Sequence, residues 1–134
     1  MQTRVREILD QEAEAVRKIP VTESYSQAIE LIHKHVHLLK GKLVTSGMGK
    51  AGQIAHDIAT TFSSTGTPAV FLHPSEAQHG DLGVLQENDL MLVISNSGRT
   101  REILELLEMK DNLLPNEPVL VFSSNNASPL SEPA

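Results

Sequence analysis

The chain has 134 residues, 40% of them hydrophobic and 21% charged, with a net charge of −6. That length holds one domain with a real core, and the acidic balance argues against nucleic acid and anionic membranes as partners. The sequence has no cysteine, which excludes disulfides and thiolate metal sites and fits a reducing cytoplasm.

Residues 3–18 predict an amphipathic helix, with Val5, Leu9, Ala13 and Val16 at helical spacing and Ile8 and Ile19 beside them. Charges ahead of Val5 and after it are not followed by an apolar run, so no secretory signal is expected. No stretch approaches the roughly 18 apolar residues of a membrane span. Pro20 ends the helix, which packs on its own domain or on a partner subunit. A second helix follows, capped by Thr22 or Ser24, with Ala28, Leu31, Ile32, Val36 and Leu39 as its buried face. It carries His33, His35 and His37. His33 and His37 share a side and would suit a metal, but no third ligand follows, so a solvated histidine face with Lys34 and Lys40 is the favoured reading. Gly41 closes this helix.

An alternation then begins. Leu43–Ser46 predicts a strand, and Ala51–Ser64 a helix with Ile54, Ile58, Ala59 and Phe62 inward, ended by Gly66. Ala69–His73 is a short strand started by Pro68, and residues 74–83 read as a polar loop. Asp89–Ser95 is a continuous apolar strand, as in a sheet covered on both faces. Thr100–Leu114 is a helix with Ile103, Leu104, Leu106 and Leu107 inward. Asn116 and Pro118 turn the chain into a last strand, Val119–Phe122. The tail, Ser123–Ala134, predicts no further element. The pattern β-α-β-loop-β-α-β implies an α/β fold, a doubly wound parallel sheet between helical layers. Residues 1–40 form N-terminal helices and 41–134 the sheet domain.

Ligands of such sheets bind outside the carboxyl ends of the strands. The segments after the four strands are Ser46-Gly47-Met48-Gly49-Lys50, His73 through Asp81, Ser95-Asn96-Ser97-Gly98-Arg99-Thr100 and Ser123-Ser124-Asn125-Asn126. All are rich in small hydroxyls, glycine, amide or histidine. The opposite ends, Lys40-Gly41-Lys42 and Gln86-Glu87-Asn88, read as plain solvated turns.

Gly47-Met48-Gly49-Lys50-Ala51-Gly52 matches the dinucleotide fingerprint G-x-G-x-x-G. A dinucleotide site also wants an acid after the second strand, and Leu72-His73-Pro74 stands there instead. The ATP loop G-x-x-x-x-G-K-[ST] is not met either, since Gln53 follows Gly52. Ser95–Thr100 is the better anion signal, because three hydroxyls around a glycine at a helix start can encircle a phosphate. The alternative is helix capping by Ser97 or Thr100.

Four motifs in order carry a family resemblance: Gly47–Gly52, Ser64-Thr65-Gly66-Thr67-Pro68, His73–Gly83 and Ile94-Ser95-Asn96-Ser97-Gly98. From about Gly41 to Leu130 they resemble the sugar isomerase (SIS) domain, and within it the D-arabinose 5-phosphate isomerases. The resemblance implies a three-layer α/β/α sandwich with flavodoxin-like strand order. It implies interconversion of D-ribulose 5-phosphate and D-arabinose 5-phosphate, a step toward Kdo and lipopolysaccharide. It further implies a cytoplasmic homotetramer with active sites at subunit borders and no required cofactor.

By residue, the resemblance implies catalytic roles for Lys50 and Glu102, and substrate contact by Gly66, Thr67, His73 and His79. It makes His73 a position associated with inhibitory zinc, and Ser95, Ser97 and Thr100 the phosphate loop. Ser46, Gly47, Gly49 and Asn96 complete the expected substrate-binding set. In chemical terms Lys50 would stabilise the oxyanion of an enediol or neutralise phosphate, and Glu102 or His79 would be the base. Glu102 in a first helical turn would also favour the helix dipole, and His73 and His79 would alternatively order their loop. Family members continue with another strand, further helices, two more catalytic residues (a glutamate and a histidine) and, in longer members, paired CBS modules. The chain is therefore expected to be a fragment or a shortened form. The competing function is a sugar-phosphate-binding SIS module without catalysis.

Overall fold

A computed structural model describes residues 1–131. The last residues of the tail, 132–134, lie outside the described residues. Helix α1 (Gln2–Arg17) and helix α2 (Glu23–Ile32) lead the chain, and α2 runs on into a π-helical segment, His33–Leu38. Then come β1 (Leu43–Gly47), α3 (Gly49–Ser64), β2 (Ala69–Phe71), α4 (Pro74–Gln78), β3 (Leu90–Ile94), α5 (Arg101–Leu113) and β4 (Val119–Phe122). Short 3-10 turns cover Asp81–Val84 and Pro129–Ser131.

The strands form one parallel sheet in the order β2-β1-β3-β4. β1 pairs with β3 from Leu43↔Leu90 to Gly47↔Ile94, and with β2 from Leu43↔Ala69. Alternate side chains feed two cores, as the period of a strand requires. Leu43, Leu90 and Leu92 pack with Val36 and Phe62 on one face. Val44, Met91 and Val93 pack with Ala77, Ile103 and Leu106 on the other. The sheet thus lies between α2–α3 and α4–α5, the three layers expected of this fold class. Ala55 and Ala59 let α3 approach closely, and Thr45 Oγ1 on β1 donates to the Ala55 carbonyl at 2.6 Å.

Several expectations are corrected. Ile54 is 53% exposed rather than inward, because Ala55 and Ala59 face the sheet in its place. Leu39 is 42% exposed, since the wider π turn rotates it away after Val36 has entered the core. The same turn buries His35, so the histidine face is solvated only at His33 and His37. Residues 74–83 are largely helical: Pro74 sits at the first turn of α4, where its missing N–H costs nothing. The tail holds a turn at Pro129–Ser131, and Leu130 packs on the second core.

The amino ends of the strands are not plain solvated turns. Lys42 Nζ meets Asp89 Oδ2 at 2.5 Å, and the Asp89 carboxylate also accepts from Lys42 N and Gln86 N. Lys110, 2% exposed, donates to the Glu117 carbonyl and to Asp111 Oδ1. Among the described residues no helix is long and apolar enough to cross a membrane.

Candidate active site

Beyond β1 the backbone turns into α3 through Gly49, at φ +57. The other two glycines of the fingerprint serve close approach. A Cβ on Gly52 would lie 2.6 Å from the Gly47 carbonyl oxygen, and one on Gly47 2.8 Å from the Ala51 carbonyl. All three glycines therefore have a backbone reason that needs no dinucleotide. The turn leaves Gly49 and Lys50 exposed at the carboxyl edge of the sheet. Lys50 makes no ion pair with any described residue.

Beyond β3 lies the hydroxyl loop. Ser95 is buried, and its Oγ lies 2.7 Å from Thr100 Oγ1 and accepts the Gly98 N–H at 3.1 Å. Ser97 Oγ accepts the Arg99 N–H at 3.1 Å. Thr100 is the N-cap residue of α5, yet its side chain makes no capping bond. Capping alone thus fails to explain these hydroxyls. Gly98 has φ +64, and a Cβ there would collide with the Ser128 side chain. The segment after β4 braces this loop: Ser124 N and Oγ donate to the Asn96 carbonyl, and Asn125 Nδ2 to the Ser97 carbonyl at 3.0 Å. The loop is held from behind, with Asn96 and Ser97 exposed in front of the first turn of α5. Small hydroxyls and backbone N–H groups gathered at a helix start are the kind of chemistry an anion requires.

Beyond β2, His73 caps α4, its Nδ1 accepting the Ser75 N–H at 3.2 Å. The Phe71 ring stands between two imidazoles, edge-on to His73 at 6.2 Å and to His56 at 5.5 Å. Gly47, Gly49, Gly52, Gln53, His56, Phe71 and His73 line a cleft of about 250 Å³. Gln53 and His56 are absent from the sequence-based set. Their signal was available, since a helix starting at Gly49 puts His56 one turn beyond Gly52 on the same face. His79 is exposed at the end of α4, and Glu102 lies half-buried in the first turn of α5. Gln78 Nε2 donates to Glu105 Oε2 at 2.6 Å, tying α4 to α5.

Three expected members are not gathered here. Ser46 is fully buried and donates to the Leu72 carbonyl at 2.6 Å, so its hydroxyl joins β1 to β2 instead of facing a ligand. Gly66 and Thr67 precede β2, at the opposite edge of the sheet. There Thr67 Oγ1 lies 3.2 Å from His37 Nε2, and the Pro68 carbonyl accepts from Leu43 N at the start of β1. Within one chain they cannot reach the Lys50 site. For zinc, Nδ1 of His73 is occupied by Ser75, which leaves Nε2 as its donor. No group of three His, Cys, Asp or Glu able to hold a metal occurs among the described residues.

Comparison with known proteins agrees with this architecture. Arabinose 5-phosphate isomerase KdsD of Francisella tularensis is 41% identical over 122 residues, 90% of this chain and 36% of that protein. KdsD of Yersinia pestis is 41% identical over 133 residues, 96% of this chain and 38% of that protein. The chain thus spans little more than a third of these curated relatives. A crystal structure from Bacteroides fragilis, of a protein assigned provisionally as a phosphosugar isomerase involved in capsule formation, superposes with TM-score 0.95 at 62% identity, covering 98% of this chain and 68% of that one. An Escherichia coli protein in complex with arabinose 5-phosphate gives TM-score 0.81 at 33% identity, covering 98% of this chain and 70% of that one. The SIS domain family matches residues 39–134, and the chain belongs to that family.

Proposed function

We propose that the chain is an aldose–ketose isomerase interconverting D-arabinose 5-phosphate and D-ribulose 5-phosphate, in the cytoplasmic supply of Kdo for lipopolysaccharide. The observation that carries this is the braced Ser95–Thr100 loop at the start of α5, with Lys50 and His73 at the same sheet edge. Phosphate binds the loop through Ser97, Thr100 and free N–H groups of the first turn of α5. The base, Glu102 or His79, takes the proton from C2 of the aldose. The electron pair forms the C1–C2 double bond of the enediol, whose developing oxyanion Lys50 stabilises. The proton returns to C1 and one proton passes from O2 to O1, so the sugar is rearranged without net gain or loss. No cofactor enters this scheme, and zinc at His73 would act as an inhibitor by occupying a substrate-contacting imidazole.

The same reading includes a homo-oligomer. α1 buries none of its residues in its own chain, while Val5, Leu9 and Val16 are each at least half exposed along one stripe. A second copy covering that stripe also supplies the route by which Gly66 and Thr67 would serve a neighbouring site, in the tetramer expected of the family.

Incubation with D-arabinose 5-phosphate, followed by detection of ribulose 5-phosphate, tests the proposal. Thermal stabilisation by the sugar phosphate without turnover would replace the isomerase by the non-catalytic binding module.

A further inference from the structure

We propose that His56, with Phe71 as floor and Gln53 beside it, is a specificity-determining contact for the carbonyl end of the sugar. This rests on the isomerase reading. The strand order places β1 between β2 and β3. Adjacent strands lie roughly 4.8 Å apart, so the exits of β3 and β2 are separated by about 10 Å. An extended five-carbon phosphate spans about 8 Å by ordinary bond lengths. With phosphate on the loop beyond β3, the chain crosses above Lys50 and Gly49, and its carbonyl end arrives at the cleft beyond β2.

That cleft has the chemistry a sugar terminus needs. Gly47, Gly49 and Gly52 leave its β1 wall without side chains. The Phe71 ring offers an apolar face for C–H groups, flanked by imidazoles in edge contact at 5.5 and 6.2 Å. His73 Nδ1 is occupied by the Ser75 N–H. The His56 ring nitrogens accept no bond from any described residue and donate none, so they are available to the sugar hydroxyls. Gln53, three residues earlier on α3, adds an amide to the same wall. Together they line the cleft at which the sugar's carbonyl end arrives, so their contacts bear on which sugar the site admits.

The test is His56→Ala and His56→Gln on the full chain, both at an exposed helical position that tolerates either residue. The expected result for His56→Ala is a KM for D-arabinose 5-phosphate raised about fivefold to tenfold, the loss of one neutral hydrogen bond. kcat stays within about twofold, inhibition by inorganic phosphate is unchanged, and discrimination against D-glucose 6-phosphate falls. His56→Gln, which keeps a donor, recovers part of the loss. An unchanged KM and unchanged discrimination in an active protein overturn this inference alone. A fall in kcat at constant KM overturns it too, by moving His56 into the chemistry. A wild-type chain that neither binds nor converts D-arabinose 5-phosphate removes the isomerase reading together with this one.

Discussion

Ser95 Oγ and Thr100 Oγ1 lie 2.7 Å apart across the mouth of the loop between β3 and α5. This pair draws the loop closed on itself. Ser95 is buried and also accepts from Gly98 N, so it shapes the loop, whereas Ser97 stands exposed in front of it. The two serines should therefore separate on mutation. Ser97→Ala is expected to weaken sugar-phosphate binding about tenfold, the scale of one bond to a charged ligand, with little effect on stability. Ser95→Ala is expected to weaken binding and also to lower stability by about 1 kcal/mol, because Gly98 N loses its side-chain acceptor. Calorimetric titration with D-arabinose 5-phosphate and urea unfolding measure the two quantities. Intact binding in Ser97→Ala would move the phosphate elsewhere.

Gly52→Ala tests the close approach of α3 to β1. Its Cβ would lie 2.6 Å from the Gly47 carbonyl oxygen, a backbone atom that cannot rotate aside. The helix must shift away from the strand, and overpacking of this kind costs about 1–3 kcal/mol. Gly49→Ala should behave differently. Space around it is open, but its φ of +57 strains any other residue, so a cost of about 1 kcal/mol is expected. Urea midpoints at unchanged slope give both values. A neutral Gly52→Ala would show that the glycine answers to a ligand rather than to packing.

Lys50→Ala and Glu102→Gln address the chemistry. Both positions lie at the carboxyl edge, exposed and half-buried respectively, and neither holds the sheet together. Each is expected to lower kcat by about a hundredfold or more with small loss of stability, the usual scale for a transition-state stabiliser or a general base. A change confined to KM in Lys50→Ala would assign it to phosphate neutralisation instead. A Glu102→Gln enzyme of full activity would leave His79 as the base.

The sheet was legible because its signals are local. Leu90–Ile94 is an unbroken apolar run, and the Gly47–Gly52 spacing reports a tight strand–helix junction whatever the ligand. Ser95–Thr100 was legible as an anion loop because small hydroxyls cluster there around a glycine. What escaped depends on features that periodicity does not record. The π turn at His33–Leu38 shifts the helical phase, which buries His35 and expels Leu39. The helix α4 was hidden by polar composition, although Pro74 at its start and Glu76 in its first turn were fair signals. Ser46 looks like a loop hydroxyl in sequence, and only the register with β2 shows it donating to Leu72. The separation of Gly66 and Thr67 from Lys50 follows from parallel strand direction, since residues before one strand cannot meet residues after its neighbour.

His35 gives a prediction on the opposite edge. It is 5% exposed, and its Nδ1 lies 3.0 Å from the Asn88 carbonyl oxygen and 3.6 Å from Glu117 Oε2. A carbonyl only accepts, so Nδ1 carries the hydrogen. Glu117 Oε1 in turn accepts from Asn88 N at 3.2 Å, and its carbonyl accepts from the buried Lys110. The imidazole thus fastens the π-helical end of α2 to the turn before β3. His35→Ala removes a buried donor and leaves a void, with an expected loss of about 2 kcal/mol. Amide exchange should quicken in α2, which has no fully buried residue of its own, more than in β1 or β3. Because the carboxyl edge is untouched, sugar-phosphate affinity of the folded protein should stay within about twofold. Uniform faster exchange across all strands would instead make His35 part of the global core, and unchanged stability would show that the Asn88 bond contributes nothing.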